Sequence, residues 1–311
     1  MPTKITIPVF ECSIPAITGN KHKEVESNMI QWGNKFGLIT SPESGNLLLE
    51  ANIGGFSGCI YPDICATNYQ LSNDWFIWML FYDKLCDSER PNPHEVLALN
   101  RRLLAILDGA TVSELDNPLE RALADIRDRL LAQHGIGQNF VRSVAQYFQG
   151  NLWEVVNHAG STLPFETTYF KFRPFTGSIY ILAELAHLLK QIRLTPVIRE
   201  NIYLQQLLLM ASNHSTWSNE IFSYVKESKD GSYINNLVYI LQHERGLAVQ
   251  EAIDYVTKLC NNEMRAFTQL KVSLPSLGVH MDSDVDCFVA FCEGVIRGHL
   301  DWAYETERYS K

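Results

Sequence analysis

Trp217-Ser-Asn-Glu-Ile-Phe-Ser-Tyr-Val-Lys-Glu227 sets Asn219, Ser223 and Glu227 at i, i+4 and i+8. That interval stacks the three side chains along one face of an α-helix. An amide, a hydroxyl and a carboxylate in a row suit a hard divalent cation such as Mg²⁺. The bland reading is a polar helix face with chance spacing. Three suitable ligand types at two suitable intervals weigh against it. Lys226, beside Glu227, is placed to meet a phosphate oxygen as a point charge.

Upstream, Leu71-Ser-Asn-Asp-Trp-Phe-Ile-Trp-Met-Leu-Phe-Tyr-Asp-Lys-Leu-Cys-Asp87 has the apolar density of a deeply buried helix and ends on Asp83 and Asp87. Two carboxylates four residues apart repel, and apolar surroundings sharpen the repulsion. A bound cation relieves both effects. Two separated clusters of oxygen ligands suggest a site where metal ions grip a diphosphate.

The rest of the composition agrees. With 46% hydrophobic and 20% charged residues in 311, the chain can bury a large core without needing a membrane. The net charge of −9 argues against nucleic acid and against anionic membrane surfaces. An acidic protein needs metal ions to hold a polyanion. The seven cysteines are odd in number and form no C-x-x-C pair, which fits reduced thiols in the cytoplasm rather than disulfides or zinc. The N-terminus lacks the apolar core of a signal peptide, and the Trp75 to Tyr82 run is too short to span a bilayer.

Residues 1–20, with three prolines, read as an extended arm. Helical patterns cover 23–36, 71–87, 94–108, 114–133, 137–158, 178–192, 195–227, 231–242, 247–271 and 283–306, with a break near 213–217 inside the long one. From 46 to 66 the chain is apolar but carries Gly54, Gly55 and Gly58, which mark close packing or a kink. No β-alternation and no repeat appears. The expectation is an all-α helical bundle of about ten helices, a single domain over 1–311.

Two arginines stand near these motifs. Arg173 lies in Tyr169-Phe-Lys-Phe-Arg-Pro-Phe-Thr-Gly177, where Pro174 suits the first turn of a following helix. Arg308 precedes Tyr309 near the C-terminus. Taken alone, each would be an ordinary surface arginine. Together with the acidic motifs they make the chain resemble the microbial class I terpene synthases (terpene cyclases). The resemblance spans most of the chain through four landmarks in order. These are the aspartate-rich motif Asp83-Lys-Leu-Cys-Asp87, the sensor-like Arg173, the Asn219/Ser223/Glu227 triad with Lys226, and the Arg308-Tyr309 pair. Two positions depart from the family pattern: Lys84 stands where a second adjacent acid is usual, and Thr176 where aspartate is frequent.

The resemblance implies a bundle with a central active-site cavity and three Mg²⁺ ions. Asp83 would hold two ions, with Asp87 and Glu89 as weaker acids, and the triad would hold the third. Arg173, Lys226, Arg308 and Tyr309 would bind the diphosphate of a linear isoprenyl substrate. Thr176 and the Gly177 carbonyl would link sensing to ionisation. Farnesyl diphosphate is the expected substrate and geranylgeranyl diphosphate the second. No nucleic-acid partner and no membrane insertion are implied, and a homodimer is compatible with the family.

A carbocation needs aromatic shielding. Phe56, Phe76, Phe81 and Trp302 are the candidates, although an aromatic stripe at helical spacing is more often plain core. Two other readings stay open. A prenyl-chain elongating synthase would carry aspartate-rich motifs on both helices, whereas the second here is Asn/Ser/Glu. A non-catalytic isoprenoid-binding protein draws support from Lys84. Asp282-Ser-Asp-Val-Asp286 imitates a calcium loop, but Cys287 occupies the turn-glycine position, so the stretch is expected to cap the last helix. His243-Glu244 lacks a second histidine at zinc spacing.

Overall fold

Proline starts helices in this chain. Ser41, Asn92, Asn117 and Thr195 each accept a hydrogen bond from a first-turn N–H, and each is followed by proline at the first helical position. The computed structural model describes residues 5–17, 19, 25–88, 91–230 and 233–309. Among these residues there are fourteen α-helices, two 3₁₀ turns and no strand, so the all-α expectation holds. Glu89 lies outside the described residues.

In chain order the helices are α1 (Val25–Lys35), α2 (Pro42–Ala51), α3 (Ile53–Ile60), α4 (Ala66–Cys86), α5 (Pro93–Leu107), α6 (Pro118–Gln133) and α7 (Gln138–Ala159). They continue with α8 (Glu166–Thr176), α9 (Ile179–Leu189), α10 (Pro196–Arg199), α11 (Ile202–Asp230), α12 (Leu237–Arg245), α13 (Val249–Val272) and α14 (Asp282–Glu305). Glu307–Tyr309 forms a 3₁₀ turn.

The apolar density of α4 is explained by its place. It packs against α1, α3, α6, α7 and α9, and Trp75, Ile77, Trp78 and Tyr82 are fully buried. A helix surrounded on all sides must be apolar on all sides. Trp78 stacks on Trp75 and Tyr82, and Phe140 and Phe148 of α7 close the cluster. These aromatics are core. α11 lies against α13 and α14, and a second core joins its C-terminal half to Phe10, α12, α13 and the end of α14. Of the N-terminal arm, the described residues 5–17 form neither helix nor strand, in keeping with an extended arm. Thr6 N and Glu11 N donate to Gln250 and Asn261 of α13 at 2.9 Å each.

Three details differ from the sequence reading. First, α11 runs unbroken through 213–217. The polar run there looked like a loop, but Thr216 Oγ1 donates to Ser212 O at 2.8 Å and Ser218 Oγ to Ser215 O at 3.1 Å, so these two hydroxyls are satisfied inside the helix. The expected helix over 195–227 instead breaks at Glu200 and Asn201. Second, Arg173 and Pro174 end a helix, α8, that the sequence reading lacked, and the helix expected after them starts as α9 at Ile179, beyond Pro174. Pro174 sits in the last turn of α8, and the chain reverses at Gly177 and Ser178, whose φ is 60°. Third, the bend between α2 and α3 falls on Asn52, with φ 44°, and not on the glycines beyond it. A Cβ on Gly294 would sit 2.9 Å from the Cys59 carbonyl oxygen, so this glycine lets α14 approach α3.

Candidate active site

The last turn of α4 and the middle of α11 open onto one cavity of about 690 Å³. Asp83, Asp87, Arg173, Thr176, Asn219, Lys226, Glu227 and Arg308 all line it, although they are spread over more than two hundred residues of sequence. Ser223, Gly177 and Tyr309 do not form its walls. Ser223 is buried beneath, 3.5 Å from Asn236 Nδ2. Tyr309 stands behind, its hydroxyl accepting from Asn219 Nδ2 at 2.7 Å. Gly177 is pressed against α11, where a Cβ would lie 2.2 Å from Thr216 Cγ2.

The α11 row is held from several sides. Glu227 Oε2 accepts from Asn236 Nδ2 at 2.8 Å. Glu220, on the same helix, accepts from Arg173 Nε at 2.7 Å through Oε1 and from Leu237 N at 2.9 Å through Oε2. One carboxylate thus caps α12 and fixes the sensor-like arginine. Arg173 Nη1 also donates to Thr176 Oγ1 at 2.8 Å, so Thr176 holds the guanidinium where an aspartate is frequent in the family.

The α4 end is less comfortable. Acids in the last turn of a helix face the negative end of its dipole. Burial raises Asp83 to about 7, and the charge of Asp87 adds to the shift. Tyr147 of α7 donates a short hydrogen bond to Asp83. Asp87 reaches solvent at the cavity mouth, and Lys84 is exposed beside it.

Sequence reasoning missed Glu154, Glu220 and Asn236, all of which line the cavity. Burial lifts Glu154 to about 8 against the opposing pull of Arg173. It lifts Glu227 as well, with the charge of Glu220 adding to it. Glu154 had left a trace in the sequence, because it is the one acid in α7.

Six carboxylates and four cationic side chains line the cavity. Uncompensated acids at raised pKa, with amide and hydroxyl oxygens nearby, fit hard divalent cations. Among the described residues no three His, Cys, Asp or Glu side chains cluster as a closed metal cage. The protein presents two half-sites on different helices instead. Arg308 Nε is buried with no hydrogen-bond partner among the described residues, which suits an anion at the same place.

Phe56, Phe76 and Trp302 form a connected aromatic group. Phe56 meets Phe76 edge-on at 5.5 Å and stacks on Trp302 at 5.4 Å. Phe81 is partly buried against the main core. The decoys resolve as structure. The expected cap on α14 is not there, since among the described residues no side chain bonds its first-turn N–H groups; Asp282 instead ties down the preceding loop, accepting from Leu277 N at 2.8 Å, and Glu244 accepts from the N–H of Glu166 at 2.7 Å. No helix among the described residues is long and apolar enough to cross a membrane.

The family described as "Terpene synthase family 2, C-terminal metal binding" matches residues 74–266, a span that includes both half-sites. The chain is 28% identical to germacrene A synthase of Nostoc punctiforme, covering 98% of this chain and 96% of the relative. It is 31% identical to (+)-T-muurolol synthase ((2E,6E)-farnesyl diphosphate cyclizing) of Roseiflexus castenholzii, covering 92% and 88%. In fold it is similar to germacradien-4-ol synthase from Streptomyces citricolor, with a TM-score of 0.81 at 19% identity over 96% of this chain and 100% of the other.

Proposed function

The chain belongs to the terpene synthase family, and from that premise we propose that it cyclises a linear isoprenyl diphosphate, farnesyl diphosphate first and geranylgeranyl diphosphate second. Diphosphate leaves, and a terpene hydrocarbon or alcohol forms. The observation that carries this reading is the convergence of Asp83, Asp87, Arg173, Asn219, Lys226, Glu227 and Arg308 on one cavity. The Roseiflexus relative, which carries farnesyl diphosphate in its name, supports the chain length. Residues 1–311 would act as a single domain in the cytoplasm, where seven free cysteines stay reduced.

Asp83, Asp87, Asn219, Ser223 and Glu227 would hold Mg²⁺, three ions by family resemblance. When bound, the metal neutralises charge on the departing diphosphate. The protein's own groups do the rest. Arg173, Lys226 and Arg308 supply fixed positive charge where the leaving group gains negative charge, and Tyr309 orients Asn219. Glu220 and Thr176 keep the Arg173 fork aimed before substrate arrives. The carbonyl of Gly177, at the turn after α8, would face the nascent cation. Phe56, Phe76, Phe81 and Trp302 would offer it π faces that attract charge without capturing it.

The test is incubation of purified protein with Mg²⁺ and geranyl, farnesyl or geranylgeranyl diphosphate, followed by analysis of volatiles. Cyclic terpenes are expected with farnesyl diphosphate. No terpene from any of the three rejects the proposal. Consumption of isopentenyl diphosphate into longer chains would reassign the protein to elongation.

A further inference from the structure

The side of α11 turned towards α14 carries polar groups that the diphosphate cavity does not use. His214 and Ser218 lie one turn apart there, and His299 of α14 touches Ser218 through Nδ1 at 3.1 Å. All three are buried, at 0%, 0% and 4% exposure. The Ser218 hydroxyl donates to Ser215 O at 3.1 Å. With its one proton committed there, Ser218 accepts from His299 Nδ1, and His299 Nε2 carries the lone pair. That Nε2 has no hydrogen-bond partner among the described residues. Neither ring nitrogen of His214 has one either.

Each such buried orphan costs roughly 1–3 kcal/mol, so three in one seam call for a ligand. Water is the ligand whose size and two-way hydrogen bonding suit imidazole nitrogens inside a helix interface. The seam also adjoins the aromatic group proposed above to shield the cation. The His299 ring lies 6.0 Å from Phe56 and 5.7 Å from Trp302, centroid to centroid. Burial holds His299 down at about 3, with His214, Arg173 and Arg308 opposing its charge further. The ring is therefore neutral and does not repel a neighbouring carbocation.

We propose that this seam binds a water on His299 Nε2, with His214 beside it, and delivers that water to the terpenyl cation, making the main product a terpene alcohol. The inference rests on the cyclase reading above. In the step, a lone pair on the water oxygen forms the C–O bond to the cationic carbon. The resulting oxonium loses a proton to Nε2, its O–H electrons stay on oxygen, and a neutral alcohol and an imidazolium result. A weakly basic imidazole suffices, because an alkyl oxonium is a far stronger acid than imidazolium. The proton then leaves with the diphosphate.

The experiment uses the full chain with Mg²⁺ and the isoprenyl diphosphate it turns over, in water enriched in oxygen-18. An alcohol carrying the heavy oxygen is expected as the main product. His299→Leu and His214→Leu should each lower the alcohol-to-hydrocarbon ratio by about tenfold, the scale of one hydrogen bond. His299→Gln, which keeps an acceptor in reach, should lose less. The ratio is read among the products each variant makes, so a change in turnover does not disguise it. If His299→Leu does not fold, His214→Leu and His299→Gln decide the matter. Hydrocarbon alone from the wild type, or an unmoved ratio in the variants, overturns the inference and leaves the cyclase reading standing. No terpene at all removes both.

Discussion

The end of α4 and the middle of α11 face one cavity, but they are built in opposite ways. On α11 three cavity-facing side chains are locked by partners from elsewhere: Asn219 by Tyr309, Glu220 by Arg173 and the start of α12, Glu227 by Asn236. On α4 the acids sit at the wrong end of a helix dipole, Asp83 is lifted to about 7, and Asp87 meets solvent with Lys84 between them. The rigid half sets geometry. On the reading proposed above, the strained half would supply an affinity for cations, because ionising Asp83 without one is costly. Sites of this kind trade stability for function.

The largest expected effect breaks both halves at once. Asp83→Ala and Asn219→Ala should each cut turnover of the isoprenyl diphosphate by roughly a thousandfold, the scale of several kcal/mol of lost leaving-group stabilisation. Steady-state release of diphosphate measures it. Full activity in Asp83→Ala alone would mean that the α4 half takes no part in the chemistry.

Stability should separate the halves where activity does not. An acid whose folded pKa lies above its unfolded value keeps its proton longer in the folded state. Asp83 moves from 3.8 to about 7, so its contribution is intact below pH 4 and is lost as pH rises towards 7. Metal-free Asp83→Asn should therefore melt higher than the wild type at pH 8 and match it near pH 4. Saturating Mg²⁺ should close the gap at pH 8, because it binds the ionised acid of the folded protein. Asn219→Ala should melt lower than the wild type at both pH values, by about 1 kcal/mol for the lost bond to Tyr309. Equal melting of wild type and Asp83→Asn at pH 8 would dispose of the strain.

The same contrast explains what could be read from sequence. The Asn219/Ser223/Glu227 row and the Asp83/Asp87 pair are local patterns, and helix periodicity displays them directly. Glu220 is legible only through Arg173, 47 residues away, and the role of Glu154, marked in sequence only as the one acid of α7, depends on the same partner. No periodicity in one segment shows a partner in another. α8 escaped because Thr167, Thr168, Tyr169 and Phe170 are weak helix formers, held helical by burial of Tyr169 against the second core. Its Pro174 then looked like a beginning when it was an end. The polar run in α11 looked like a break for the converse reason. The hydroxyls of Thr216 and Ser218 bond back to their own helix, and sequence does not show where a hydroxyl turns.

The smallest effect falls on the two lysines, one in each half. Lys226 lines the wall of the rigid half, next to Glu227, where its charge should act on the diphosphate. Lys226→Asp should lower kcat/KM by about a hundredfold, since it removes a cation from the leaving group and adds an anion. Lys84 is exposed at the rim of the strained half, where the family commonly has an acid. An exposed charge contributes at most about 1 kcal/mol, so Lys84→Asp should lower the half-saturating Mg²⁺ concentration by only about threefold. It should do so most clearly at low ionic strength, because solvent and salt screen a rim charge. A weaker grip on Mg²⁺ in Lys84→Asp would reverse the picture. Lys84 would then be holding Asp83 in its ionised form, and the strain would lie in its removal.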